Sequence, residues 1–293
     1  MSLIFLMGFD FSKHSIPLEE ILSGGPAKDG IPAILKPKFI PADRADFLRK
    51  DDRVLAFELN GETKVYPIKI LNWHEVVNDM INAQPMVITY CPLCGTGMAF
   101  DSTINGKKFT FGVSGLLYNS DVLMYDHQTE SLWSQIKQEA VTGAMTGTRL
   151  STLFLMHTTW GEWRREHPGT LVLSTDTGYF RDYSRDPYEG YAGSRRVWFP
   201  VSRQDGRFHP KEWVLGVVIN GVAKAYPFSE LGKRSGEFMD TVNGLKLRIH
   251  FNSSSKTAFI RDEQGNPVPS VTGFWFAWYA FYPETQVYKT LTP

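Results

Sequence analysis

Short apolar or alternating runs, separated by turn residues, make up most of this chain. Asn-Gly pairs stand at 60–61, 105–106, 220–221 and 243–244, each between such runs. The pair supplies the two positive-φ positions of a tight hairpin turn, so strand is the expected default. Helical spacing is rarer. Over 67–81, Ile70, His74, Val77 and Ile81 recur on one face, which predicts a helix with His74 turned inward. Residues 160–166 predict a short helix that stops before Pro168, with His167 at its end, and 275–282 predict a second like it. Hairpins with occasional helices predict an α+β fold rich in antiparallel sheet.

The pattern also repeats. Val54-Leu55-Ala56-Phe57-Glu58-Leu59-Asn60-Gly61 continues into Lys64-Val65-Tyr66-Pro67, and Val214 to Gly221 continues into Lys224-Ala225-Tyr226-Pro227. Trp160 and Trp163 lead to His167-Pro168-Gly169-Thr170, as Trp275 and Trp278 lead to Tyr282-Pro283-Glu284-Thr285. The expected organisation is an irregular, proline-rich arm over 1–50, a first unit over 51–178, a linker over 179–210 and a degenerate second unit over 211–293. The two pseudo-repeated hairpin-and-helix units are expected to form one compact body. The second lacks the cysteines and much of 101–150, which assigns the chemistry to the first. In the linker, Arg181, Tyr183, Arg185 and Tyr188 read as packing between the copies or as the gate of a pocket.

Charge and composition narrow the partners. With 31 basic and 31 acidic residues, zero formal charge and no basic stripe, nucleic acid is not an expected partner. No apolar run reaches transmembrane length. Residues 1–7 are apolar but too short and uncharged for an export signal, and read as an expression remnant or as the stub of a trimmed leader. Two cysteines this close cannot staple a fold of 293 residues.

Those cysteines lie in Tyr90-Cys91-Pro92-Leu93-Cys94-Gly95, the C-P-x-C-G spacing of a metal knuckle, in which a tight turn presents two thiolates to one ion. A thioredoxin-type site would start a long helix at the first cysteine, and Gly95-Thr96-Gly97 leaves no room for one. Metal ligation, a redox dithiol and a purely structural turn all stay open. His74, on the expected helix running into the cysteine strand, is the candidate third ligand. His74-Glu75-Val76-Val77-Asn78 misses the second histidine of H-E-x-x-H, which excludes that metalloprotease motif. His157 is a lesser candidate for the site, and the remaining histidines read as surface or structural. Polar residues gather in the stretch that the second unit lacks: Asn119, Ser120, Asp121, Tyr125, Trp133 and Gln135. They read either as a substrate-binding wall beside the cysteines or as a loop held by Asx-type hydrogen bonds. Nucleophile-elbow, Walker and dinucleotide spacings are absent from the sequence.

Leu71-Asn72-Trp73-His74-Glu75, Cys91-Pro92-Leu93-Cys94-Gly95, Tyr118-Asn119-Ser120-Asp121, Ser131-Leu132-Trp133-Ser134-Gln135 and Thr159-Trp160 together resemble the prokaryotic family catalogued as domain of unknown function 3179, from about Gly8 to the C-terminus. Members often carry an export signal, so the resemblance implies a periplasmic or extracellular location. This chain carries no full signal and reads as a mature form. His127 stands where the family pattern has Arg, which counts against a ligand role for it. The expected function is copper or zinc binding through Cys91, Cys94 and His74, in an extracytoplasmic metalloenzyme or a metal-handling protein with a small-molecule or metal-donor partner. The alternatives are a thiol-disulfide redox protein using Cys91 and Cys94, and a non-catalytic ligand-binding module.

Overall fold

A computed structural model describes residues 8–234 and 236–290. The apolar segment 1–7 lies outside them. All four Asn-Gly pairs turn hairpins, with φ from +46° to +51° at the asparagines and from +73° to +84° at the glycines. Side chains alternate across each strand, and most strands are buried on both faces, so the sheets must stack against one another.

The result is nearly all β, 42% strand and 10% helix, in a five-bladed β-propeller arrangement. Blade one orders its strands Met156–Thr159, Arg53–Leu59, Glu62–Pro67, Leu171–Leu173 and Phe39–Pro41. Blade two orders Ser151–Leu153, Thr96–Asp101, Gln84–Cys91 and Val76–Ile81. Blade three orders Ile21–Ser23, Phe111–Tyr118, Asp121–Asp126, Leu132–Ser134 and Glu139–Ala140. Blade four orders Val271–Phe274, Trp213–Ile219, Val222–Pro227 and Gln286–Val287, and blade five Gly236–Val242, Leu245–Asn252, Thr257–Asp262 and Pro267–Val268. Among the described residues the α-helices are Ile68–Leu71, Trp160–Glu166, Phe228–Leu231 and Trp275–Phe281, and none is long and apolar enough to cross a membrane.

The expected α+β body of two hairpin-and-helix units is therefore corrected. The repeated landmarks fall in separate blades, and the helices are single or double turns between strands. Blades one and four share one layout: an antiparallel hairpin whose second strand then pairs parallel with a later strand, Lys64 opposite Leu171 and Lys224 opposite Gln286. The helix expected over 67–81 is corrected as well. It ends at Leu71, Glu75 takes φ +56°, and Val76–Ile81 pairs as a strand with Gln84–Cys91. A left-handed residue stops an α-helix. The next two residues then point to opposite faces of a sheet.

The largest core cluster joins blades two, three and four around Cys91, Cys94, Phe111, Trp133 and Trp275. Thr96–Asp101 packs against Val271–Phe274, and Val76–Ile81 against Phe111–Tyr118. Blade two thus brings its cysteine turn to the place where two other blades meet it. Residues 174–212 contain no helix or strand and run across this junction.

Candidate metal centre

The cysteine turn is built by its backbone. Cys91 ends one strand and Thr96 begins the next. The Cys94 N–H donates to the Cys91 carbonyl at 3.2 Å, which closes the turn. Gly95 follows at φ +65°, and a Cβ there would lie 2.8 Å from the Trp213 ring, so the position needs glycine twice over. The Phe274 N–H donates to the Cys94 carbonyl at 2.8 Å and fastens the turn to blade four.

Blade three supplies the third group. Asn119 and Ser120, at φ +52° and +64°, form a two-residue turn between Tyr118 and Asp121. That turn aims the Ser120 carbonyl at both thiols, which donate to it at 3.7 Å from Cys91 Sγ and 3.3 Å from Cys94 Sγ. Donor atoms of Cys91, Cys94 and Asp121 all lie within 4.8 Å of one another. Asp121 Oδ2 accepts from the Ile136 N–H at 3.1 Å, while Oδ1 and the Ser120 hydroxyl are buried without a hydrogen-bond partner of ordinary geometry. Buried polar atoms are seldom left so.

Burial dominates the electrostatics. It pushes the Cys91 thiol up and the Cys94 thiol well up. It raises the Asp121 carboxyl to about 7 and the nearby Glu75 carboxyl to about 8. Without a cation, both thiols and Glu75 stay mostly protonated near neutrality and Asp121 titrates across it, because a buried charge needs a partner. Lys211 is close enough to feel Cys94, but its Nζ is held by the Ser194 and Arg196 carbonyls at 3.2 and 2.8 Å and lies 3.8 Å from the Tyr191 ring centroid. Two thiols and a carboxyl, packed together and short of positive charge, form a donor set for a soft or borderline metal ion.

The family model described as a protein of unknown function (DUF3179) matches residues 28–285. The chain belongs to that family. No curated protein and no solved structure matches it.

In this DUF3179 chain, Cys91 and Cys94 meet Asp121 where the sequence suggested His74. His74 is fully buried but engaged elsewhere. Its Nδ1 lies 2.7 Å from the Pro32 carbonyl and must donate there, so Nε2 accepts from the Tyr183 hydroxyl at 2.6 Å. The cause is the missing helix: in a turn before a strand, the ring faces the arm and the linker. His157 Nε2 accepts from the Gly97 N–H at 3.0 Å, beside the turn but outside the donor group. Of the polar stretch, Ser120 and Asp121 reach the cysteines. Asn119 Oδ1 accepts from the Ser202 N–H and pins the linker. Gln135 bonds Thr89 and Thr96 in the two strands that flank the cysteine turn. Tyr125 donates to Asp29, and Trp133 donates to Asp126 in the core of blade three. Glu75, Tyr191 and Lys211 surround the site without having been singled out for it, and Tyr188, read from the sequence as linker packing or a pocket gate, stands with them. Glu75 carried one sequence signal, its place beside His74 in Trp-His-Glu. Lys211 carried none.

Proposed function

We propose that this DUF3179 protein binds one copper or zinc ion through the thiolates of Cys91 and Cys94 and the carboxylate of Asp121. The observation that carries the reading is the convergence of three buried donors within 4.8 Å from turns of two different blades. Zinc with two thiolates and one carboxylate would keep a fourth position for water or a ligand, whereas Cu(I) would be held chiefly by the two sulfurs. His74 is left out of the ligand set because both its nitrogens are engaged. Among the residues of 119–135, Ser120 and Asp121 alone are proposed to meet a bound group. A redox dithiol is supported by two free, neighbouring cysteines. It ranks second because raised thiol pKa values lower the thiolate fraction that exchange chemistry needs.

Metal content of anaerobically purified protein tests the reading. About one ion per chain is expected by mass spectrometry, lost in Cys91→Ser and much weakened in Asp121→Asn. Protein that takes up neither zinc nor Cu(I) on reconstitution would overturn it.

A further inference from the structure

Beside the cysteine turn lies a cavity of about 140 Å³. Leu93, from between the two cysteines, and Val122, next to Asp121, form part of its wall. Tyr188, Trp198 and Phe199 of the linker bring three aromatic rings to it, and the Tyr188 and Trp198 rings stack at 5.9 Å. Glu75 is the one carboxyl in this lining among the described residues. It is 7% exposed, and Oε1 receives only a long hydrogen bond, 3.5 Å from the Tyr188 hydroxyl. Its backbone is held at φ +56° by the bond from the Tyr90 N–H to its carbonyl at 2.7 Å. A non-glycine residue in that region is uncommon, and such positions gather at ligand sites.

The chemistry of the lining selects one class of ligand. Asp121, Cys91 and Cys94 add acidic groups on the cysteine side. Even with Zn²⁺ bound, two thiolates and one carboxylate would leave a net negative site, so an anion would be repelled. Aromatic faces favour a cation, and an ammonium group would give the buried Glu75 carboxyl the partner it needs to ionise, whereas an anion or a neutral body would not. The volume matches a roughly benzene-sized body, since an apolar cavity of about 150 Å³ holds benzene. We propose that this cavity binds a small monoamine, its apolar body against the rings and its ammonium group on Glu75. The inference goes beyond the metal reading and does not require it.

The test is calorimetric titration of the full chain with benzylamine and with benzyl alcohol, metal content being measured on the same samples. Benzylamine is expected to bind about tenfold tighter than the alcohol or better. Glu75→Gln should level the two. Trp198→Ala, at a position 45% exposed, should weaken benzylamine about threefold. No binding to the wild type, equal affinities, or a preference that survives Glu75→Gln would overturn the proposal. Should Glu75→Gln fail to fold, the wild-type preference and Trp198→Ala decide. Protein that takes up neither zinc nor Cu(I) on reconstitution and still prefers benzylamine would sustain this site while removing the metal reading. Metal-loaded protein without the preference would do the reverse.

Discussion

Burial raises the proton affinity of Asp121 and Glu75, and the sign of that shift sets how the metal-free chain responds to pH. Folding lifts Asp121 to about 7 and Glu75 to about 8, from about 3.9 and 4.3 when unfolded. Between those values the folded state holds more protons than the unfolded one, so stability falls as pH rises from about 4 to 8. Asn at position 121 has no proton to lose. Relative to wild type, chelator-treated Asp121→Asn should therefore gain on the order of 2 kcal/mol between pH 5 and pH 8, read by urea denaturation. A gap that does not change with pH would mean that Asp121 is already ionised when buried. The same protons oppose metal binding. Both thiols must be deprotonated, so zinc affinity against a chromophoric chelator should rise by at least about tenfold per pH unit from 6 to 8. A flat profile would remove these thiols from the ligand set. The cysteines were legible in the sequence because both ligands of a knuckle lie within one turn. Asp121 was visible only as a polar residue in a polar stretch, because its partner atoms come from another blade.

At the scale of elements, the turns were more legible than the helices. An Asn-Gly pair records a local demand for two positive φ values, and all four pairs met it. Apolar spacing records burial without saying which backbone produces it. Ile70, Val77 and Ile81 are buried as expected, yet Val77 and Ile81 sit in a strand that shares a cluster with Met86 and Ile88. Cross-blade packing overrode the helical period there. Shared landmarks also have matching local contacts: Trp163 Nε1 donates to Thr170, and Trp278 Nε1 donates to Thr285. Lys64 and Tyr66 hold Asp79 at 3.1 and 2.7 Å, and Lys224 and Tyr226 hold Asp240 at 2.6 and 2.9 Å. The carboxylate is 7% exposed in the first and 19% in the second. Breaking a buried pair strands its partner charge, and water relieves that penalty when the site is open. Asp79→Asn should cost about 3 kcal/mol and Asp240→Asn about 1 kcal/mol. Equal losses in chemical denaturation would show that exposure does not separate the two.

Over the whole molecule, the candidate centre joins parts that the chain order keeps apart. Cys91 and Cys94 belong to the turn of blade two, Asp121 follows the turn of blade three, and the Cys94 carbonyl is tied to Phe274 of blade four. The linker is fixed to the same place through Ser202 on Asn119 and Tyr188 on Glu75. An ion shared by Cys91, Cys94 and Asp121 would act as a clamp between blades two and three, because local opening of either turn would then require releasing it. Hydrogen exchange with and without one equivalent of zinc reads this directly. Protection is expected to rise together over 91–97 and 118–122, and to spread into 188–202 through Asn119. The distal hairpin of blade five, at 243–244, should not change. Protection confined to 91–97 would mean that the thiols bind metal without Asp121, and the clamp would fail although the metal site stood. Protection raised equally in every blade would instead report global stabilisation, in which slow exchange everywhere follows the unfolding equilibrium and the junction has no special role.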